Sequence, residues 1–317
     1  MRLFGNRGRK PGWMCINVMP DRVDVSHVVT AGKARPEIVL CDSYRKEGDT
    51  VATLTRLRNE LDLNRYRCTT LLKGGEYQLV QVETSPNLPA QEAKMAVRWR
   101  IKDMIDYPVE AASVDAVFIP GADGTTERSA HMLAVAARND AIAAAVRSFN
   151  EADIALEVVD IPELAQRNLA HLFESEGRGI ALLTIDDRGG LLTFTCGGEL
   201  YHHRRIEISL SSLTEASQDA RKGLYDRLVL ELQRSLDHFD RQFRHISVAR
   251  VMVTPVPGAE DLREHLAANL DMPVALVHLS EIMDFPHIPE LHEDARQAQC
   301  LQLIGAAMRE ETAMARA

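Results

Sequence analysis

Apolar and polar residues alternate in two separate stretches of the chain, and each stretch predicts three consecutive strands. In the first, Trp13 to Val18 and Val23 to Val29 are joined by the turn Met19-Pro20-Asp21-Arg22, and Glu37 to Ser43 supplies the third. In the second, Ile180 to Ile185, Leu191 to Cys196 and Leu200 to Ile208 turn at Asp186 to Gly190 and at Gly197-Gly198. Both sets are meanders. Helical spacing follows each of them. Val51 to Leu61 comes after the first, and after the second a long stripe joins Tyr225, Leu228, Val229, Leu232, Leu236, Phe239 and Phe243. Further strands are predicted at Tyr66 to Leu71, Tyr77 to Glu83, His131 to Ala137, Leu156 to Val159, Val248 to Val253 and Val274 to Leu279. Further helices are predicted at Asp140 to Asn150, Pro162 to about Phe173, and Glu260 to Leu270. A final helix carries Ala295, Ala298, Leu301, Ile304, Ala307 and Met308 on one side, a face that has to dock on a core.

The stretch from Leu88 to Pro120 predicts a helix, a bend and a strand. Ala93, Ala96, Val97, Ile101, Met104 and Ile105 fall at helical spacing after a start set by Pro89, and Lys94, Arg98 and Lys102 form the opposite, basic face. Tyr107-Pro108 ends the helix, because a residue before proline is pushed out of the α region. Val114, Ala116 and Phe118 then alternate as a strand. Trp99 lies beside the apolar stripe, where it reads either as packing or as a partner contact.

Two meanders, each followed by helices and further strands, amount to an internal duplication of βββαβα type. The expected division is a basic tail over 1–10, a first half over 11–153, and an insertion of about 88–137 within it. A second half over 154–290 and a docking C-terminal helix over 291–317 complete the chain. Paired α/β domains of this kind are expected to hold a cleft between them, as in actin and its relatives.

At 317 residues, 45% hydrophobic and 26% charged, the chain is long enough for two cored domains. Its formal net charge of −9 argues against nucleic acid as a partner, since phosphate neutralisation needs a surplus of Lys and Arg. Arg2, Arg7, Arg9 and Lys10 are a local exception that reads as a solvated tail. No apolar run is long enough to span a bilayer and no signal-peptide core follows the basic start, so a cytoplasmic location is expected. Cys15, Cys41, Cys68, Cys196 and Cys300 form no C-x-x-C pair and read as buried thiols. His202-His203 point to opposite faces of a strand and read as neighbouring surface histidines rather than a metal site. No metal site is expected.

Several segments together resemble the actin-like pilus-assembly proteins of the PilM type, most closely their MSHA-pilus biogenesis branch. They are LPAQEAKMAVRWRIKDMIDYPVEAASVDAVFIP, VVDIPELAQRNLA, GIALLTIDDRGGLLTFTCGGELYHHRRI, ELQRSLDHF and CLQLIGAAMRE, and they reach over nearly the full length. The resemblance implies an actin-like fold of the ribonuclease H-like class, duplicated, with an inserted subdomain. It also implies a cytoplasmic scaffold, peripheral to the inner membrane, that grips the N-terminal peptide of a bitopic PilN-like protein and works with other pilus-assembly proteins. On the inserted subdomain Arg98, Trp99, Lys102, Tyr107 and Pro108 are the expected partner-binding residues.

A nucleotide in such a fold is held by small turns whose backbone N–H groups approach its phosphates. Three turns here depart from the family's pattern. Asn17-Val18-Met19-Pro20 replaces an Asp with Gly and Ser, Thr184-Ile185-Asp186 replaces Asp-x-Gly, and Thr254-Pro255-Val256-Pro257-Gly258 replaces a glycine pair. The expectation is therefore a binding module, not an enzyme, with a degenerate cleft and no cofactor. If ATP and magnesium are retained, Asn17, Asp186, Asp187, Gly189, Gly190 and Gly258 would hold them. An active ATPase is the alternative, and its carboxylate would come from Asp160, Asp186 or Asp187.

Overall fold

The computed structural model describes residues 8–84, 90–121 and 128–309. Arg2, Arg7, Leu88 and Pro89 lie outside them. In chain order the elements begin with β1 (Trp13–Val18), β2 (Arg22–Val29), β3 (Glu37–Arg45), α1 (Thr50–Leu61), β4 (Arg67–Leu71), β5 (Tyr77–Glu83) and α2 (Ala90–Arg100). Next come β6 (Ala112–Pro120), β7 (Arg128–Arg138), α3 (Asn139–Glu151), β8 (Leu156–Asp160) and α4 (Pro162–Ala170). The second meander is β9 (Gly179–Asp186), β10 (Gly189–Cys196) and β11 (Glu199–Ile206), followed by α5 (Leu210–Glu215) and α6 (Gln218–Gln242). The chain closes with β12 (Val248–Val253), α7 (Ala259–Asn269), β13 (Val274–Leu276) and α8 (Asp294–Ala307).

These elements form two compact units. One takes the described residues up to Leu71, 144–169 and those from His278 onward. Its sheet runs β3-β2-β1-β4-β8, with the meander antiparallel and β4 and β8 added in parallel. One face of this sheet carries Met14, Ile16, Val23, Val25 and Cys68, packed against Leu54 and Leu57 of α1 and Phe149 of α3. The other face is covered by α8, which crosses β1 to β4. Gly305 of α8 meets α4 so closely that a methyl group there would overlap the Ala165 carbonyl.

The other unit takes 72–143 and 170–277. Its main sheet runs β11-β10-β9-β12-β13, which repeats the connectivity of the first: an antiparallel meander, then two parallel strands. The predicted duplication is therefore real at the level of strand order. A separate three-stranded sheet, β5-β7-β6, backs α2, and between them lie Val82, Ala93, Val97, Ile101, Ile105, Ala116 and Met132.

Three expectations need correction. The sequence pattern places Leu156 to Val159 in the second half, but β8 pairs with β4 and completes the first sheet, a crossover that local patterning does not encode. The inserted subdomain starts at β5, earlier than residue 88, because β5 is the partner strand of β7. The helix expected to reach Tyr107 stops at Arg100. Beyond it the bonds tighten, with Met104 N–H donating to Ile101, and the Asp106 N–H is taken by the Gln78 side chain. Ile101 and Ile105 stay buried through this change of phase, but Met104 turns outward.

Candidate functional site

Asn17 is the penultimate residue of β1 in the first unit. Its amide donates to the Met19 sulfur at 3.5 Å, and the Met19 N–H closes the turn on Arg22 at 2.9 Å. The backbone donor at Met19 is thus already taken, and Pro20 has none. Asp160, at the end of β8, is buried; it accepts from the Ile161 N–H at 2.8 Å and is ion-paired with Arg309.

The remaining nucleotide candidates lie in the second unit. Asp186 and Gly189 pair across a two-residue hairpin with Asp187 and Arg188 at its tip. The Asp186 carboxylate accepts the Arg188 N–H at 2.8 Å and the Arg188 guanidinium at 2.7 and 3.0 Å. Such a side-chain-closed turn is what Asp at a hairpin supplies. Gly189 has a φ of 126°, and a Cβ there would lie 2.8 Å from the Ile206 carbonyl oxygen; at Gly190 it would lie 3.1 Å from Ile206 Cβ. Close passage of β11 accounts for both glycines without a phosphate.

The third turn is filled from within. The Thr254 hydroxyl donates to the Leu183 carbonyl at 3.3 Å and accepts the Ile185 N–H at 3.2 Å, and Val256 is buried. Gly258 adopts a left-handed φ of 77° just before α7, whose first turn carries Glu260 and Asp261. Two carboxylates at a helix N-terminus favour that helix and oppose an incoming phosphate.

On the inserted subdomain the expected partner-binding residues separate into two groups. Arg98 reaches inward, donating to the Val109 and Ala112 carbonyls at 2.7 and 3.2 Å, and Lys94 is paired with Asp115 at 2.9 Å. The predicted basic face is therefore largely committed to its own subdomain. Tyr107 is half-buried; its hydroxyl donates to the Ala136 carbonyl at 2.7 Å, and burial pushes its phenol up. Trp99, by contrast, is 73% exposed, and Met95, one turn earlier on the same face, is 66% exposed. Lys102, Met104 and Pro108 are also exposed. Met95 was missed by sequence reasoning, although its i, i+4 spacing to Trp99 was the available signal.

His202 is half-buried against Phe194 and His238, with ring centroids 5.7 and 5.0 Å apart, so the pair is not simply superficial. Burial, then His203, His238 and Arg204, push its imidazole down to about 4. Among the described residues no three His, Cys, Asp or Glu side chains converge as metal ligands, and no helix is long and apolar enough to cross a membrane.

The repeated order of strands and the inserted subdomain define an actin-like fold, and solved structures agree. The PilM-PilN type IV pilus biogenesis complex superposes with a TM-score of 0.72 at 19% identity, over 94% of this chain and 98% of that one. A Bacteroides thetaiotaomicron protein with actin-like ATPase fold and unknown function gives 0.51 at 8% identity, over 93% and 96%. No curated protein matches. Residues 29–205, more than half of the chain, match the family of type IV pilus assembly protein PilM, and the chain belongs to that family.

Proposed function

We propose that this chain is a cytoplasmic scaffold of type IV pilus assembly, of the MSHA type, that binds the N-terminal cytoplasmic peptide of a PilN-like inner-membrane protein. It is held peripherally at the membrane by that partner. It acts as a binding module rather than an enzyme, and its cleft holds no nucleotide. The observation that carries the reading is the exposed Met95 and Trp99 face of α2, on a subdomain where Arg98 and Tyr107 are engaged internally. A tryptophan left in water beside a methionine is costly to solvate and is a common anchor of protein interfaces.

Titrating the N-terminal peptide of a PilN-like protein into the full chain, followed by tryptophan emission and calorimetry, tests this. The protein holds two tryptophans, and Trp13 is buried, with the Arg67 and Arg309 guanidiniums 3.9 and 5.7 Å from its ring centroid. A change in emission on peptide binding therefore reports chiefly Trp99. Absence of binding to any such peptide overturns the proposal.

A further inference from the structure

The geometry points to a thiol modification site: Cys41 of β3 and Cys300 of α8 form a reversible disulfide that staples the C-terminal helix to the edge of the first sheet. Cys15, Ser26 and Cys41 lie opposite one another across β1, β2 and β3, so all three side chains share one sheet face. Trp13, two residues before Cys15, shares it as well. Its ring lies against Arg309, just past the end of α8, so this is the face that α8 covers.

The register between helix and strand is held by Arg296, one turn before Cys300. Its guanidinium donates to the Ser43 hydroxyl at 2.9 Å and to the Cys41 carbonyl at 3.2 Å. Ser43 in turn donates to Asp24 at 2.6 Å, and Asp24 is paired with Arg22 at 3.0 Å. Within this frame both thiols are buried in the same interface of α8 and the sheet, 6% and 1% exposed, and each perturbs the other. Cys41 therefore lies on the face that α8 covers, and Cys300 follows by one turn the arginine that grips the Cys41 carbonyl, which sets the two thiols up as the pair to be joined.

Arg296 supplies a positive charge beside both thiols. The neighbouring Cys300 thiol and burial push Cys41 up, while the Arg296 guanidinium favours the thiolate of either residue. Either thiolate can act as the nucleophile, and Cys300 serves as the example. With hydrogen peroxide as oxidant, the Cys300 thiolate attacks one peroxide oxygen, the O–O bond breaks and hydroxide leaves, giving a sulfenic acid. The Cys41 sulfur next attacks the Cys300 sulfur; the S–S bond forms, the S–O bond breaks, and the departing hydroxide takes the Cys41 proton as water. Two thiols lose two electrons and two protons, and the peroxide becomes two waters. A dithiol reverses the bond by exchange.

The other cysteines serve as controls. Cys68 lies opposite Met14, so Cys15 and Cys68 point to opposite faces of their sheet and do not bridge. Cys196 belongs to the other unit.

The experiment treats the reduced full chain with hydrogen peroxide, blocks free thiols in denaturant and maps the peptides by mass spectrometry. Five free thiols should fall by two, with a Cys41 to Cys300 linked peptide that dithiothreitol abolishes. The oxidised chain should also melt a few degrees higher. Cys41→Ser and Cys300→Ser should each keep all their remaining thiols under the same treatment. Retention of five thiols, a linkage elsewhere, or a sulfinic or sulfonic acid at Cys300 without a linkage overturns the assignment. If a serine variant does not fold, the wild-type peptide map alone decides.

Discussion

Arg188 closes on Asp186 across the hairpin between β9 and β10, with its guanidinium on one carboxylate oxygen at 2.7 and 3.0 Å and its own N–H on the other at 2.8 Å. A carboxylate engaged in this way neither faces a phosphate as bare charge nor stands ready to take a metal. Mg-ATP titrated into the protein should therefore give no micromolar binding isotherm and no phosphate release. Asp186→Ala should leave that result unchanged and lower stability in urea by only about 1 kcal/mol, since both side chains are partly solvated and screened. Micromolar binding to the wild type would overturn this account of the turn.

Trp99 and Tyr107 should part company under mutation. Trp99→Ala removes an exposed ring and should change folding stability by no more than about 0.5 kcal/mol, while weakening the PilN-like peptide by tenfold or more. Tyr107→Phe loses the bond to the Ala136 carbonyl and should cost roughly 1 kcal/mol of stability with peptide affinity intact. Equal effects of the two substitutions on affinity would contradict the division.

A close crossing of α4 and α8 gives the third expectation. Gly305→Ala places a methyl group against the Ala165 carbonyl, and relief requires the helices to separate. The loss should be about 1–3 kcal/mol. Denaturant unfolding of the variant checks it, and an unchanged midpoint would show that the crossing is looser than described.

Acid should weaken the second unit through His202. Its folded pKa lies near 4, below that of an unfolded imidazole at about 6.5, so between these values the unfolded chain takes up a proton that the folded chain refuses. Stability is full above about pH 6.5, falls as pH drops toward about 4, and has lost this contribution below that. The loss is on the order of 2–3 kcal/mol. His27, lowered chiefly by burial, adds in the same direction. Urea midpoints measured between pH 7.5 and 4.5 should show this slope, and His202→Gln should flatten most of it.

Local chemistry explains what was legible in the sequence. Period-two alternation and the turns at Asp186 to Gly190 and Gly197-Gly198 placed both meanders, because strand alternation and left-handed glycines are properties of neighbours in the chain. The hairpin nature of Asp186 was legible for the same reason. Partnership across distance was not. Nothing near Leu156 says that β8 adds to β4, and nothing near Cys41 names Cys300. Spacing alone also put Met104 in the buried stripe and Arg98 on a free basic face. The first failed because the helix stops at Arg100, and the second because carbonyls from a later segment draw the guanidinium in.

The cover that α8 provides also sets an order of manufacture. Strands β1 to β4 and β8 leave the ribosome early, but the helix that closes their second face emerges only after Val277, when every residue of the other unit has been made. A nascent chain thus carries one finished body and one sheet with the row of Cys15, Ser26 and Cys41 still bare to chaperones or to misassociation. The strands synthesised first are the last to be sealed.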